Sequence, residues 1–139
     1  MIGPIVVLAG WTMLVLLGNL IVRVRAVRKR SISIKYFRSF NAPSAKGDIP
    51  DEVVILKNHL TNLFEVPILF YVITLLSLIY GPPSQTQITC AWLFVAARLV
   101  HTGVHLTYNN IMHRLIAFVV SNLFLIALWM VTILTIPTT

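Results

Sequence analysis

Acidic side chains are nearly missing from this chain: four Asp and Glu stand against eleven Lys and Arg in 139 residues. Asp48, Asp51 and Glu52 sit together, which leaves Glu65 as the one acid inside a long apolar run. A single cysteine, Cys90, excludes an intramolecular disulfide and leaves the redox compartment undetermined. No basic region precedes the first apolar run, so no cleavable leader is expected, and that run is long enough to span. Charged residues make up only 11% and hydrophobic ones 58%, at mean hydropathy +0.87. A soluble domain of this size could not hide so much apolar surface, so lipid must cover much of it.

What is present is four apolar runs, each long enough to cross a bilayer. They cover about 2–24, 53–80, 85–107 and 111–136, with a polar, basic stretch at 25–52. The second and third runs are joined by Gly81-Pro82-Pro83-Ser84, an uncharged turn, and the third and fourth by Tyr108-Asn109-Asn110. Short connections force neighbouring spans antiparallel. The expectation is an all-α integral membrane protein, an up-down four-transmembrane-helix bundle forming one domain over 1–139.

Nine of the eleven Lys and Arg lie between Arg23 and Lys57. The positive-inside rule then places the 25–52 loop in the cytoplasm and both termini on the non-cytoplasmic side. The net charge of +7 invites a nucleic-acid reading, but basic residues beside a span set topology and attract anionic headgroups, so no nucleic-acid partner is expected. Tyr36, Phe37 and Phe40 within the loop have the pattern of an interfacial amphipathic element.

The few polar residues within the spans fall in register. Asn58, Asn62 and Glu65 follow i, i+4, i+7 and share one helix face, as do Arg98, His101 and His105 at i, i+3, i+7. Arg114 occupies the first turn of the fourth span. An ionisable group at membrane depth is paired or functional. A Glu65–Arg98 ion pair orienting two helices is the simplest reading. It leaves Arg23, Arg114 and two imidazoles without a balancing acid, and such a surplus of donors suits a ligand bearing carboxylates, which arginine grips in bidentate fashion. The alternative is metal: His101 and His105 at i, i+4 with Glu65 as a third ligand. The helix lacks the glutamate of a His-Glu-x-x-His pattern and Arg98 would repel a cation, so no metal is expected. Cys90 is placed by helix rise near the opposite face and reads as a packing residue. Gly10, Gly18, Ala96 and Gly103 are candidates for close helix approach.

The run Asn62-Leu63-Phe64-Glu65-Val66-Pro67-Ile68-Leu69-Phe70-Tyr71 resembles the second-helix signature of the MAPEG family, membrane-associated proteins in eicosanoid and glutathione metabolism. Ala97-Arg98-Leu99-Val100-His101-Thr102-Gly103-Val104-His105 is similar to that family's third-helix segment, and Val22-Arg23-Val24-Arg25 to the end of its first helix. The resemblance implies a homotrimer with glutathione as thiol co-substrate, bound between adjacent subunits. Carried over by position, Arg23, Asn62 and Glu65 would contact the tripeptide, and Arg98 would pair with the glutamate. His101 and His105 would lie at the site, and Arg114 would stabilise the glutathione thiolate. That last role is sound chemically, because a guanidinium beside a thiol lowers its pKa.

The sequence also departs from that pattern. Thr61 and Asn58 stand where arginines are frequent in enzymatic members, His105 replaces a tyrosine that packs on the ligand, and Leu115 replaces a serine. Each lost charge-assisted contact is worth about 1.5–3 kcal/mol. The expected function is a membrane-bound, glutathione-dependent transferase or peroxidase acting on lipophilic electrophiles. Its membrane lipids and lipophilic small molecules would be reached laterally through the bilayer. The competing expectation is a non-catalytic lipid-binding or scaffolding subunit of a larger membrane complex.

Overall fold

The computed structural model describes residues 1–29, 51–108 and 110–136; for Ala26 and residues 51–64 the description extends to the backbone alone. The described residues form four helices: α1 (Ile2–Arg28), α2 (Asp51–Tyr80), α3 (Gln85–Leu106) and α4 (Ile111–Thr135). The expected elements are therefore present in the expected order. The helices outrun the apolar runs at the basic end: α1 continues through Arg25 and Arg28, and α2 begins at Asp51. Helical hydrogen bonding does not stop where the hydrocarbon does. The loop aromatics Tyr36, Phe37 and Phe40 lie outside the described residues.

Local chemistry explains each boundary. Pro4 falls in the first turn of α1, where its missing N–H costs no helical bond. Gly81 follows α2 with φ +150°, a conformation that a side chain resists, and Pro82 and Pro83 cannot continue the helix. Ser84 then opens α3 with a capping box. Its Oγ accepts from the Gln87 N–H at 3.3 Å, and Gln87 Oε1 accepts from the Ser84 N–H at 2.7 Å. Asn110 caps α4, its Oδ1 accepting from the N–H groups of Met112 at 2.9 Å and His113 at 3.2 Å. Pro67 sits inside α2 and removes one backbone bond there, which neighbouring helices tolerate in a membrane protein.

α3 and α4 form the closest pair, with α1 packed on α2 and α3, and α2 also touching α3 and α4. The core gathers Leu8, Phe70, Ile73, Ala91, Phe94, Val95, Leu125 and Leu128 from all four helices. Phe70 and Phe94 stack at its centre, ring centroids 4.6 Å apart. This dry core occupies the end of the bundle near Gly81. Gln87 Nε2 donates to Thr132 Oγ1 at 3.0 Å, tying α3 to α4 at that end.

Outside the core the apolar residues face outward. Met13, Leu17 and Leu20 of α1 and Leu123, Ile126, Met130 and Ile133 of α4 are exposed stripes at helical spacing. Helices satisfy every internal backbone group and leave such stripes to lipid. Three of the helices are long and apolar enough to cross a membrane, Ile2–Arg25, Gln85–Leu106 and Ile111–Thr135, and the described side chains of α2 add the apolar stretch Glu65–Tyr80. At 30 residues α2 is itself about 45 Å long. Among the described residues, Gly10, Gly18 and Gly103 meet no atom within 4 Å of an added Cβ. Gly3 does, because its Cβ would stand 3.1 Å from the Trp92 ring.

Candidate functional site

The polar half of the bundle begins where the core ends. On α3 the face Arg98, His101, His105 is buried, at 2%, 3% and 2% exposure, so the shared stripe read from the spacing points inward. Thr102 beside it is buried and donates its hydroxyl to the Arg98 carbonyl at 3.0 Å. His101 reaches across to α4, its Nδ1 lying 3.1 Å from the Arg114 carbonyl oxygen. A carbonyl only accepts, so the proton sits on Nδ1 and the other ring nitrogen, Nε2, carries the lone pair. The His105 ring stands edge-on to His101 at 6.1 Å, and Phe118 of α4 closes against the His101 ring at 6.0 Å.

Arg114 is half-buried, and its residue lines a cavity of about 280 Å³ together with His101, Ile111, Leu115 and Phe118. The α4 members follow i, i+3, i+4, i+7, one face of one helix. Among the described residues, the cavity has one guanidinium and one imidazole on otherwise apolar walls. It offers an anionic group a cation in a low-dielectric setting, where it acts more strongly than in water.

Of the remaining expected site residues, those whose side chains are described do not line this cavity. Arg98 and His105 are buried on the same face of α3 as His101. Arg23 is half-buried on α1 and lines a different groove, of about 220 Å³, with Val24, Val27 and Arg28. Glu65 is exposed on the single chain, whereas Arg98 is fully enclosed, so the two side chains occupy different environments. Asn62, and with it Asn58 and Thr61, belongs to the part of α2 whose side chains lie outside the described residues. No group of three or more His, Cys, Asp and Glu among the described residues is arranged to hold a metal ion.

Some participants were not legible beforehand. Ile111 and Phe118 line the cavity but look like any other apolar span residues; only the i, i+3, i+4, i+7 relation with Arg114 and Leu115 marks them. Asn19 is 3% exposed and Ser121 0% exposed, two further buried polar groups whose amide and hydroxyl interrupt apolar runs in the sequence. Ser121 satisfies itself on the Phe118 carbonyl at 2.7 Å.

No curated protein and no solved structure matches the chain. A family model does: it spans residues 1–134, through all four helices and every residue of the buried polar layer. The chain belongs to the MAPEG family, the membrane-associated helical bundles of glutathione and eicosanoid metabolism.

Proposed function

We propose that this protein is a membrane-bound glutathione-dependent transferase or peroxidase that acts on lipophilic electrophiles, with Arg114 holding the glutathione thiolate. The observation that carries the reading is the cavity in which Arg114 and His101 meet on apolar walls. A guanidinium favours the thiolate over the thiol, working against the desolvation that apolar walls impose, and the charge pair is screened less there than in water. The thiol proton leaves to solvent. The thiolate sulfur then forms a bond to an electrophilic carbon while the leaving group departs with the bonding pair, or attacks a peroxide oxygen to release an alcohol. In the peroxide case the resulting sulfenic acid is resolved by a second glutathione to the disulfide.

MAPEG proteins generally form trimers, and a homotrimer accounts for what one chain leaves unassembled. Glu65 is exposed on the single chain and Arg23 faces its own groove. A neighbouring copy that supplies Arg23, Asn62 and Glu65 to the Arg98–His101–His105–Arg114 layer would give the tripeptide both cationic and acidic contacts. Substrate would enter from the bilayer, where partitioning concentrates it, and fixing the thiolate beside it supplies proximity.

The second reading is a non-catalytic subunit that binds lipid or organises a larger membrane assembly. Thr61 and Asn58, in place of two arginines, favour it. Conjugation of glutathione to a generic aryl halide by the purified protein, measured beside Arg114→Ala, separates the two. Turnover that disappears in the variant supports the enzyme. Absence of turnover together with no calorimetric binding of glutathione supports the subunit.

A further inference from the structure

Hydroxyls inside membrane helices ordinarily turn back on their own backbone. In this chain Thr12, Thr74, Thr102, Ser121 and Thr135 each donate to a carbonyl one turn earlier. Ser77 does not. The residue is 5% exposed, and its Oγ has no hydrogen-bond partner among the described residues. Buried polar groups are normally paired, so the space beside this one matters. Ser77 lines a pocket of about 230 Å³ at the end of the bundle where α2 and α4 finish and α3 begins.

Three helices build the walls. Ser77 and Tyr80 come from α2 and Thr132 and Thr135 from α4, each pair at i, i+3, and Gln87 enters from the first turn of α3. Gln87 is already committed: its Oε1 accepts from the Ser84 N–H, and its Nε2 donates to Thr132 Oγ1. Thr132, buried at 1% exposure, accepts that bond and keeps its own hydroxyl proton for another acceptor. Tyr80 and Thr135 are exposed at the mouth.

The electrostatics select what fits. Among the described residues lining the pocket none is charged at neutral pH. Two helix C-termini and one N-terminus meet at this end, a balance that disfavours an anion. A cation would find no carboxylate there to neutralise it. What suits Ser77 and Thr132 together is an uncharged group that both donates and accepts, which is the property of a hydroxyl. The space is several times the roughly 30 Å³ of one water, and Pro82 and Ile136 add apolar wall. Adjacent hydroxyls on a short carbon chain meet both surfaces, the oxygens on Ser77 and Thr132 and the C–H faces on Pro82 and Ile136.

We propose that this pocket binds an uncharged vicinal diol of the glycerol type, one hydroxyl pairing with Ser77 Oγ and its neighbour accepting the Thr132 proton. The headgroup of a monoacylglycerol and free glycerol share that chemistry. From Arg114 to Thr132 α4 rises about 27 Å. The site therefore stands apart from the thiol cavity and does not depend on the reading given above.

The test uses the intact protein in phosphatidylcholine nanodiscs and has two arms. In the first, a monoacylglycerol with a photoreactive diazirine beside its ester is expected to label the last turns of α2 and α4. Unlabelled monooleoylglycerol should compete, and oleyl alcohol, which has one hydroxyl on the same chain, should compete about tenfold less well. In the second, equilibrium dialysis measures radiolabelled glycerol. Saturable glycerol binding means that the diol alone is recognised, whereas labelling without it means that the acyl chain is needed to deliver the headgroup. Ser77→Ala breaks no hydrogen bond among the described residues, so the thermal midpoint without probe should not fall, while binding should weaken about fivefold or more. Four results would overturn the proposal: equal competition by oleyl alcohol, undiminished binding by Ser77→Ala, label spread evenly over the exposed stripes of α1 and α4, or no saturable binding in either arm, which would leave the pocket to water. Neither arm contains glutathione, so failure here leaves the thiol chemistry untouched.

Discussion

His101 and Arg114 are joined through the backbone: the imidazole Nδ1 of one donates to the carbonyl oxygen of the other at 3.1 Å. The bond links α3 to α4 at the polar end of the bundle, as Gln87 and Thr132 link them at the other. It sets the imidazole tautomer and holds the first turns of α4 in register with α3, so that the Arg114 side chain is placed by its own main chain.

If that bond positions Arg114, His101→Phe keeps the ring volume against Phe118 and loses only the donor. Stability is expected to fall by about 1–2 kcal/mol, read as a lowered thermal midpoint in detergent. Catalytic turnover should fall more than glutathione affinity does, because the guanidinium would be misplaced rather than removed. An unchanged midpoint with unchanged kinetics would show that the bond has neither role.

Arg114→Ala should reduce conjugation of glutathione to an aryl halide by about a hundredfold or more, the scale seen when one electrostatic stabiliser of a reacting anion is removed. The pH profile carries the sign. A nearby cation lowers the bound thiol below its free value of about 8.5, so activity is present above the lowered value and is lost as pH falls through it. In Arg114→Ala the acid limb of kcat/KM should move up towards the free-thiol value, and Arg114→Lys should restore part of the shift. An acid limb identical in both proteins would assign thiolate stabilisation elsewhere.

Gln87→Ala tests the opposite end. The substitution removes the capping-box acceptor for the Ser84 N–H and the donor to Thr132 and Thr135. A loss of about 1–3 kcal/mol is expected, measured by thermal unfolding, with conjugation per folded molecule unchanged. Reduced turnover at full folding would mean that the two ends of the bundle are coupled.

Glu65→Gln addresses assembly. With Glu65 exposed on the single chain, the substitution should leave chain stability within about 0.5 kcal/mol. Glutathione affinity should drop severalfold if a neighbouring copy presents this carboxylate to the site. Calorimetry gives the affinity, and light scattering of the detergent complex gives the number of chains. Undiminished affinity in a confirmed trimer would remove Glu65 from the binding set.

The expected site residues differ in how far the chain announced them. The stripe Arg98, His101, His105 was legible because helical period alone puts i, i+3 and i+7 on one face, and charge in an apolar run must then turn inward. Arg114 stood out for the same reason. That Arg98 is buried while Glu65 is exposed on the single chain was not legible, since which helix faces which depends on bundle packing. Gly3 likewise did not stand out: small residues permit close approach but do not say which neighbour approaches, and its added Cβ would stand 3.1 Å from the Trp92 ring.

Four long apolar runs, punctuated by Gly81-Pro82-Pro83 and by capping residues at Ser84 and Asn110, determine by themselves a helical bundle in lipid, because backbone groups in hydrocarbon must be satisfied within each segment. Composition and period fix that much, being properties of each helix taken alone. That Arg114 and His101 share a cavity, and that His101 grips the Arg114 backbone rather than its charge, were decided only when α3 and α4 packed. Those facts depend on the rotation of one helix against another, a quantity set by the interlocking of side chains from distant parts of the chain.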